Sequence, residues 1–247
     1  MGNDSQEFNK YREKGAYHWK ETRKSLKRYN AGLAARYNVT REMITAHCSG
    51  PKKIVDIGCG DGYFSAILAG CYTGSEVRGF DTDRTAIELA KEKTAGISNS
   101  AFTEGNAFEH LIETDLITAL DVIEHLYKPD EFMENCYKVL SAGGHLFLST
   151  PIKIKEIPDD KYHVHEFLYD ELEDFARSAG FSIVEHKSSH DNIYLERYGR
   201  RVSLMGVGKM RLYKYLYNMM ATCFGNNVFE KTDCDVPLMQ YILLKKD

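Results

Sequence analysis

Two short stretches of the chain carry the side chains best able to move a proton or grip a metal ion. In Asp121-Val122-Ile123-Glu124-His125, a helical turn would set Asp121 and Glu124 on one face, three residues apart, with His125 directly after. In Tyr162-His163-Val164-His165-Glu166-Phe167, two histidines and a carboxylate follow Thr150-Pro151, where a loop leaving a strand can return over the same pocket. Three uses fit these residues. His125 can act as a general base with His163 or His165 assisting, because imidazole titrates near neutrality. Glu124, His125 and one of the later histidines can instead hold a divalent cation, which lowers the pKa of a bound hydroxyl. Or His125 caps the turn or packs beside a ligand and takes no part in chemistry.

A third stretch, Asp56-Ile57-Gly58-Cys59-Gly60-Asp61-Gly62, ends an apolar run and feeds a helical one. Glycines at such a turn let a ligand approach the backbone, and the helix start offers free amides. A dinucleotide fingerprint would need its third glycine at Tyr63, and the chain contains no Walker A pattern. Charge narrows the ligand further. A pyrophosphate here would meet Asp56 and Asp61 within a few ångströms, whereas a cationic ligand would be favoured. Asp81, at the tip of the next apolar run, can accept hydrogen bonds from ribose hydroxyls.

Short apolar runs alternating with helical segments must position these residues, which is the pattern of an α/β sheet with helical crossovers. Strands are expected over 53–57, 76–80, 101–104, 115–120, 145–149, 181–186 and 238–244, and helices over 63–69, 83–91 and 169–178. Thr82 or Asp83 is placed to cap the second of those helices. Pro129 opens another helix that runs to Leu140, where Gly143-Gly144 would end it. Before the sheet, residues 1–48 form an N-terminal helical extension or cap. There Leu26, Tyr29, Leu33 and Tyr37 fall at helical spacing, and Lys20, Arg23, Lys24, Lys27 and Arg28 crowd the polar face. The aromatic run Tyr17-His18-Trp19 can cover a ligand, grip a substrate face or pack in the core. Residues 188–236 interrupt the alternation as a helical insertion and possible substrate lid within the main domain, 49–247. Leu204, Met205, Met210, Leu212, Tyr213, Leu216, Tyr217 and Met220 make its apolar stripe, which reads as core or lid packing rather than a membrane anchor.

The chain has 247 residues, 43% of them hydrophobic, enough for one elaborated domain. A formal net charge of −4 gives no global attraction to nucleic acid or an anionic membrane, although a local patch could bind either, and a small-molecule substrate is favoured over nucleic acid. The six cysteines form no C-x-x-C pair and are too sparse for a disulfide framework, which suits the cytoplasm. The N-terminus lacks the apolar core of a secretory signal, no run of apolar residues is long enough to span a membrane, and Gln6 stands where a myristoylation signal has Ser or Thr. Oligomeric state is not legible.

Val55-Asp56-Ile57-Gly58-Cys59-Gly60-Asp61-Gly62 resembles motif I of class I S-adenosylmethionine (SAM) dependent methyltransferases, and Gly79-Phe80-Asp81 resembles their acidic ribose-binding site. Gly105-Asn106-Ala107 resembles the adenine-contacting segment, although the family more often has Asp where this chain has Asn106. Residues 115–126 are similar to the strand 4 motif, and residues 139–146 to the turn into strand 5. The resemblance covers roughly residues 50–187 and the last strand. It implies a Rossmann-like seven-stranded sheet of order 3-2-1-4-5-7-6 with strand 7 antiparallel, flanked by helices, and the insertion beside the substrate mouth. It also implies SAM as cofactor, contacted by Asp56, Gly58, Cys59, Gly60, Asp81, Thr82, Asn106, Ala107 and Leu120.

The Asp121-x-x-Glu124-His125 segment resembles the Glu-x-x-Glu-His of ubiquinone-biosynthesis O-methyltransferases and small-RNA 2′-O-methyltransferases, with Asp121 in place of the first Glu. That precedent implies a divalent metal as a second possible cofactor. The expected reaction is O-methylation of a small hydroxylated metabolite such as a sugar or cell-surface glycan precursor, since similar sequences with His-x-His-Glu-Phe occur among such enzymes. The alternatives are an RNA 2′-O-methyltransferase that uses the basic N-terminal residues, and a SAM-binding protein without catalysis. In methyl transfer the leaving sulfide needs no proton, so orientation can supply about 7–11 kcal/mol and a base only about 10² to 10⁴-fold.

Overall fold

Strict alternation of side chains along the central strands decides how the chain layers. In a computed structural model describing residues 10–110, 113–158, 160–204, 208–232 and 234–247, Ile54 and Val55, and likewise Leu116 and Ile117, point to opposite faces and are all buried. A sheet apolar on both faces needs helices on both. The strands are β1 (Lys53–Ile57), β2 (Glu76–Asp81), β3 (Ser100–Glu104), β4 (Thr114–Leu120), β5 (Leu140–Pro151), β6 (Ser182–Asp191), β7 (Val202–Leu204), β8 (Gly208–Met210) and β9 (Pro237–Lys245). Seven of them form one sheet in the order β3-β2-β1-β4-β5-β9-β6, with β9 antiparallel to both its neighbours and the other pairings parallel. Counting β9 as the seventh sheet strand, this is the expected order 3-2-1-4-5-7-6.

The helices are α1 (Lys10–Lys14), α2 (Tyr17–Glu21), α3 (Ala31–His47), α4 (Tyr63–Cys71), α5 (Arg84–Lys93), α6 (Pro129–Val139), α7 (Tyr169–Ser178), α8 (Asn192–Gly199) and α9 (Leu212–Phe224). On one face Phe132, Met133 and Cys136 of α6 and Leu172 and Ala176 of α7 bury against Val55, Ile117, Leu146 and Ile242. On the other, Met43 and Ile44 of α3 join Phe64 and Leu68 of α4 over Ile54, Leu116, Phe147 and Tyr241. Burial of each such large side chain is worth about 1.5–3 kcal/mol. Helix α3 is thus part of the sheet's cover as well as of the N-terminal extension.

Several expected boundaries move. The stripe Leu26–Tyr37 is not one helix: Asn30 takes an extended conformation and its Oδ1 accepts from the Leu33 amide, so α3 starts after Leu26 and Tyr29. Lys20 lies in α2, and Arg23, Lys24, Lys27 and Arg28 lie in bends and turns before Asn30, so the five do not share a helix face. Asp83, not Thr82, caps α5, its Oδ1 accepting from the Thr85 and Ala86 amides at 2.7 and 3.3 Å. Helix α6 ends at Val139, because Leu140 is already extended and pairs with Thr114. The β4–β5 register then resumes at Leu116 opposite His145, so Gly143, at φ +76°, shapes an irregularity in the strand instead of ending a helix.

Strand β6 continues to Asp191, which shortens the insertion at its start. Within it, residues 202–204 and 208–210 pair as antiparallel strands, and of the apolar stripe the residues from Leu212 to Met220 lie in a helix, α9. Glycines at 206 and 208 punctuate the helical period that the apolar spacing suggests. Met205 and residues 1–9, with the myristoylation signal considered there, lie outside the described residues. Among the described residues no helix is long and apolar enough to cross a membrane, and Cys48, Cys59, Cys71, Cys136 and Cys223 are free thiols.

One buried contact ties α3 to the sheet. His190 sits at φ +64°, donates from Nε2 to the Gly32 carbonyl at 2.8 Å, and its Nδ1 accepts from the Ser189 hydroxyl at 2.7 Å. Burial is the first cause that pushes its pKa from 6.5 down to about 4, so the native state holds the ring neutral. The unfolded chain binds a proton below its ordinary pKa while the native chain does not until lower pH, so stability falls as pH drops through the window between those two values. Between about pH 7 and about pH 5 the loss should be on the order of 2 kcal/mol. Urea melts of the parent and of His190→Asn, a residue tolerant of this backbone conformation, check it: the variant should be less stable but should lose most of the pH dependence in that window. Parallel pH curves would show that His190 is not the source.

Candidate active site

The carboxyl ends of β1, β2 and β4 meet beneath the glycine loop, and each contributes a carboxylate. Asp56, 2% exposed at the end of β1, accepts from the Ser65 hydroxyl at 2.6 Å and the Thr118 hydroxyl at 2.7 Å. Burial outweighs these bonds and raises its pKa to about 6. Both Asp56 oxygens are therefore occupied, and its influence on a ligand is through charge from below the loop. The Gly58 and Cys59 amides both donate to the Phe80 carbonyl, at 2.8 and 3.0 Å, which folds the loop back onto β2. At Gly58, φ is +68° and a Cβ would come 2.5 Å from Val122 Cγ2, so only glycine fits. The Cys59 side chain is buried, 7% exposed, against Gly79.

Asp81 accepts from the Gly60 amide at 2.9 Å and the Asp83 amide at 2.8 Å, and burial raises its pKa. It thereby sits at the loop's edge with its orientation fixed. Thr82 beside it is exposed. Asn106 is exposed, and its Oδ1 accepts from the Phe108 amide at 3.1 Å, which settles the amide's orientation and leaves Nδ2 to donate. Ala107 is buried and Leu120, closing β4, is half-buried. Asp56, Gly58, Cys59, Gly60 and Asp81 converge on one loop; Asn106, Ala107 and Leu120 lie at the ends of the adjoining strands β3 and β4.

Helices α1 and α2 roof this loop. The His18 amide and Nδ1 bind the two Asp61 oxygens at 3.1 and 2.9 Å, and Trp19 Nε1 donates to the Asp61 carbonyl at 2.9 Å. A Cβ on Gly60 would collide with the Tyr11 hydroxyl. Asp61 is therefore spent on the roof and does not face a ligand.

The second cluster follows β4. Asp121 sits at φ +54°, its amide donates to Ser149 O at 2.9 Å, and its carboxylate takes the Ser149 hydroxyl at 3.2 Å and an ion pair from Arg36 of α3. Asp121 consequently does not join the other acids as a free ligand. Glu124 is fully buried; Oε2 accepts from the Thr150 hydroxyl at 3.1 Å, and Oε1 has no partner. Burial raises its pKa to about 7. The Glu124 carbonyl accepts from the Val164 and His165 amides at 2.7 and 3.2 Å, which draws the later histidine stretch back over the turn.

His125 donates from Nδ1 to the Tyr162 carbonyl at 2.9 Å, so its Nε2 is the free acceptor, and burial lowers its pKa. The His163 ring lies 5.0 Å from that of His125, with its Nδ1 on Glu166 Oε1 at 2.6 Å. Ligand atoms of Glu124, His125 and His163 lie within 4.8 Å of one another. His165 is a correction: its Nε2 pairs with Glu171 of α7 at 3.0 Å, away from the cluster, because the chain bends at Val164, between the two histidines, and so turns the second one toward α7. Arg36, Tyr11 and Thr150 were not among the expected residues. Arg36 carries no signal in the sequence, since its partner lies on a distant element; Tyr11 lies outside the aromatic run Tyr17-His18-Trp19 that pointed toward a ligand or the core.

The Methyltransferase domain family matches residues 49–211. A protein of Mycolicibacterium smegmatis named "Probable S-adenosylmethionine-dependent methyltransferase" is 26% identical over 156 residues, 60% of this chain and 58% of its own. A ubiquinone biosynthesis O-methyltransferase of Proteus mirabilis is 33% identical over 104 residues, 40% of this chain and 42% of its own. The chain thus spans about half the length of these curated relatives. Among solved structures, the [4+2]-cyclase SpnF superposes with a TM-score of 0.58 at 17% identity, covering 85% of this chain and 80% of that one. An N-methyltransferase of Haemonchus contortus, in complex with S-adenosylhomocysteine and phosphomonomethylethanolamine, gives 0.57 at 15% identity, covering 85% and 52%. At such identity these two show the fold alone, and a cyclase among them shows that the fold does not dictate the reaction. The family match over two-thirds of the chain, the strand order and the carboxylate-floored glycine loop agree: the chain belongs to the Methyltransferase domain family, among the class I SAM-dependent methyltransferases.

Proposed function

We propose that the chain is an O-methyltransferase acting on a small hydroxylated metabolite, of the kind found in sugars and cell-surface glycan precursors, with His125 as the group that removes the hydroxyl proton. The observation that carries this reading is the Nδ1 hydrogen bond of His125 to Tyr162 O, which fixes the tautomer with Nε2 as the acceptor, while burial favours the neutral ring. SAM, when bound, supplies an electrophilic methyl group on a cationic sulfur. The glycine loop and Asp81 are suited to hold its amino-acid and ribose parts, and the negative charge of Asp56 beneath them favours the sulfonium. Residues at the end of β4 and over it orient the acceptor hydroxyl. His125 Nε2 would receive the hydroxyl proton as the acceptor oxygen takes the methyl group that SAM would supply, the bonding pair staying with the sulfur. The name of the Proteus relative, an O-methyltransferase, supports oxygen as the acceptor atom.

A metal-assisted variant has its own support. The unpartnered buried Oε1 of Glu124, together with two histidines whose Nδ1 atoms are engaged elsewhere, is a donor set that suits a divalent cation. Glu124, His125 and His163 would hold it, and a bound cation would lower the acceptor's pKa there. The insertion is assigned here as one wall of the acceptor's mouth: Tyr194 and Tyr198 of α8 and Tyr217 of α9 pack with Tyr29, Ala31 and Ala34 at the start of α3, the helix that carries Arg36 to Asp121.

Incubation with labelled SAM and small-molecule extract, followed by mass identification of the product, tests the acceptor class: a methyl ether is expected, and a methylated amine, carbon or RNA contradicts it. With that acceptor in hand, His125→Ala should lower kcat by about 10²-fold or more while SAM affinity holds. A loss below about tenfold would remove His125 from the proton transfer. Exhaustive chelation separates the two variants, since full activity afterwards excludes the metal and a loss restored by one divalent ion, but not in Glu124→Gln, supports it.

A further inference from the structure

The segment 197–229 contains Arg197, Arg200, Arg201, Lys209, Arg211 and Lys214 and not one Asp or Glu. Its charge of +6 stands in a chain whose net charge is −4, so the rest of the molecule carries −10. Arg197, Arg200, Arg201 and Arg211 are exposed and form no ion pair with a described residue. Lys214 lies 5.7 Å over the Tyr198 ring. Such a concentration of one sign, left unneutralised by its own fold, is a footprint for an anionic partner.

The same segment leaves an apolar helix face uncovered. Tyr213, Tyr217, Met220 and Ala221 of α9 pack inward on Tyr29, Ala34 and Phe229. Leu212, Leu216 and Met219, at i, i+4 and i+7, face outward with 42%, 42% and 38% of their surface exposed, and Phe224 at the end of the helix is 74% exposed. On α8, Ile193 and Leu195 add 47% and 44%. Apolar side chains left exposed along one helix face, in a segment that also exposes several arginines, mark an interaction site.

We propose that α8, the arginines that follow it and α9 together form a surface that docks on an anionic lipid bilayer. Leu212, Leu216, Met219 and Phe224 enter the headgroup region, and the exposed arginines meet lipid phosphates. A bilayer satisfies both halves of the patch at once. A second copy of the chain bound symmetrically would set +6 against +6, and a nucleic acid would neutralise the arginines but leave the leucines and Phe224 in water. No helix among the described residues can cross the membrane, so the contact is peripheral.

Sedimentation of the full chain with vesicles tests this independently of any activity. The chain should pellet with vesicles of phosphatidylglycerol and phosphatidylcholine but not with phosphatidylcholine alone, and less so as salt rises. Arg200→Glu with Arg201→Glu should lower partitioning at least about tenfold. Leu216→Glu with Phe224→Glu should lower it similarly while the melting temperature stays near that of the parent, since all four side chains are solvent-facing. Absence of pelleting, equal pelleting with the neutral vesicles, or variants that pellet like the parent would overturn the proposal. So would a dimer in sedimentation equilibrium that Leu216→Glu dissociates, which would assign the face to a second copy.

Discussion

Burying carboxylates at the carboxyl ends of parallel strands is the constraint on which the rest of this structure turns. Asp56 and Glu124 are buried and Asp81 and Asp121 half-buried, and an ionised carboxylate in such a place is stabilised by donors that replace water. Each solution builds a part of the site. Asp56 takes two hydroxyls and so joins β1 to α4 and β4; Asp81 takes two amides and so fixes the loop against β2. Asp121 takes Arg36 and thereby draws α3 across the sheet. Of these four, Glu124 is left with one oxygen unmatched, and its carboxylate is where His125 and His163 gather. The places that satisfy their own charge form scaffold, and the place that does not is where a ligand is needed.

The N-terminal helices and the insertion then act on this floor from above. His18 and Trp19 clamp Asp61, Tyr11 rests on Gly60, and Arg36 reaches the end of β4, so three turns of the N-terminal segment touch the loop and the acceptor cluster directly. Any ligand on the loop shares its neighbourhood with the Tyr11 hydroxyl. Helix α3 also carries the latch from Gly32 to His190 and the aromatic seat of α8 and α9. A change in the position of α3 would therefore register at the acceptor cluster and at the insertion together.

Much of this was legible because it rests on local chemistry. Glycines at 58, 60 and 62 with Asp56 and Asp81 announce a strand-turn-helix cradle, and the sheet's strands are written in apolar runs that match both faces. What escaped depends on long-range or one-residue effects. No spacing rule links Arg36 to Asp121, and nothing in His-x-His says which histidine turns inward until Val164 and His165 bond the Glu124 carbonyl. The apolar stripe of the insertion is not one helix, because apolar spacing alone does not separate the strands 202–204 and 208–210 from the helix that follows them. The basic charge around those strands was diluted in the global count, where −4 hides a segment of +6.

Titration calorimetry of the parent and Asp56→Asn with SAM and with its product S-adenosylhomocysteine, which lacks the sulfonium charge, tests the central electrostatic claim most directly. Both ligands should bind the parent, and removing the buried charge should weaken SAM roughly tenfold more than the product, since only the sulfonium feels it. Equal weakening of the two ligands, or binding of NAD or ATP where neither adenosyl ligand binds, would contradict it.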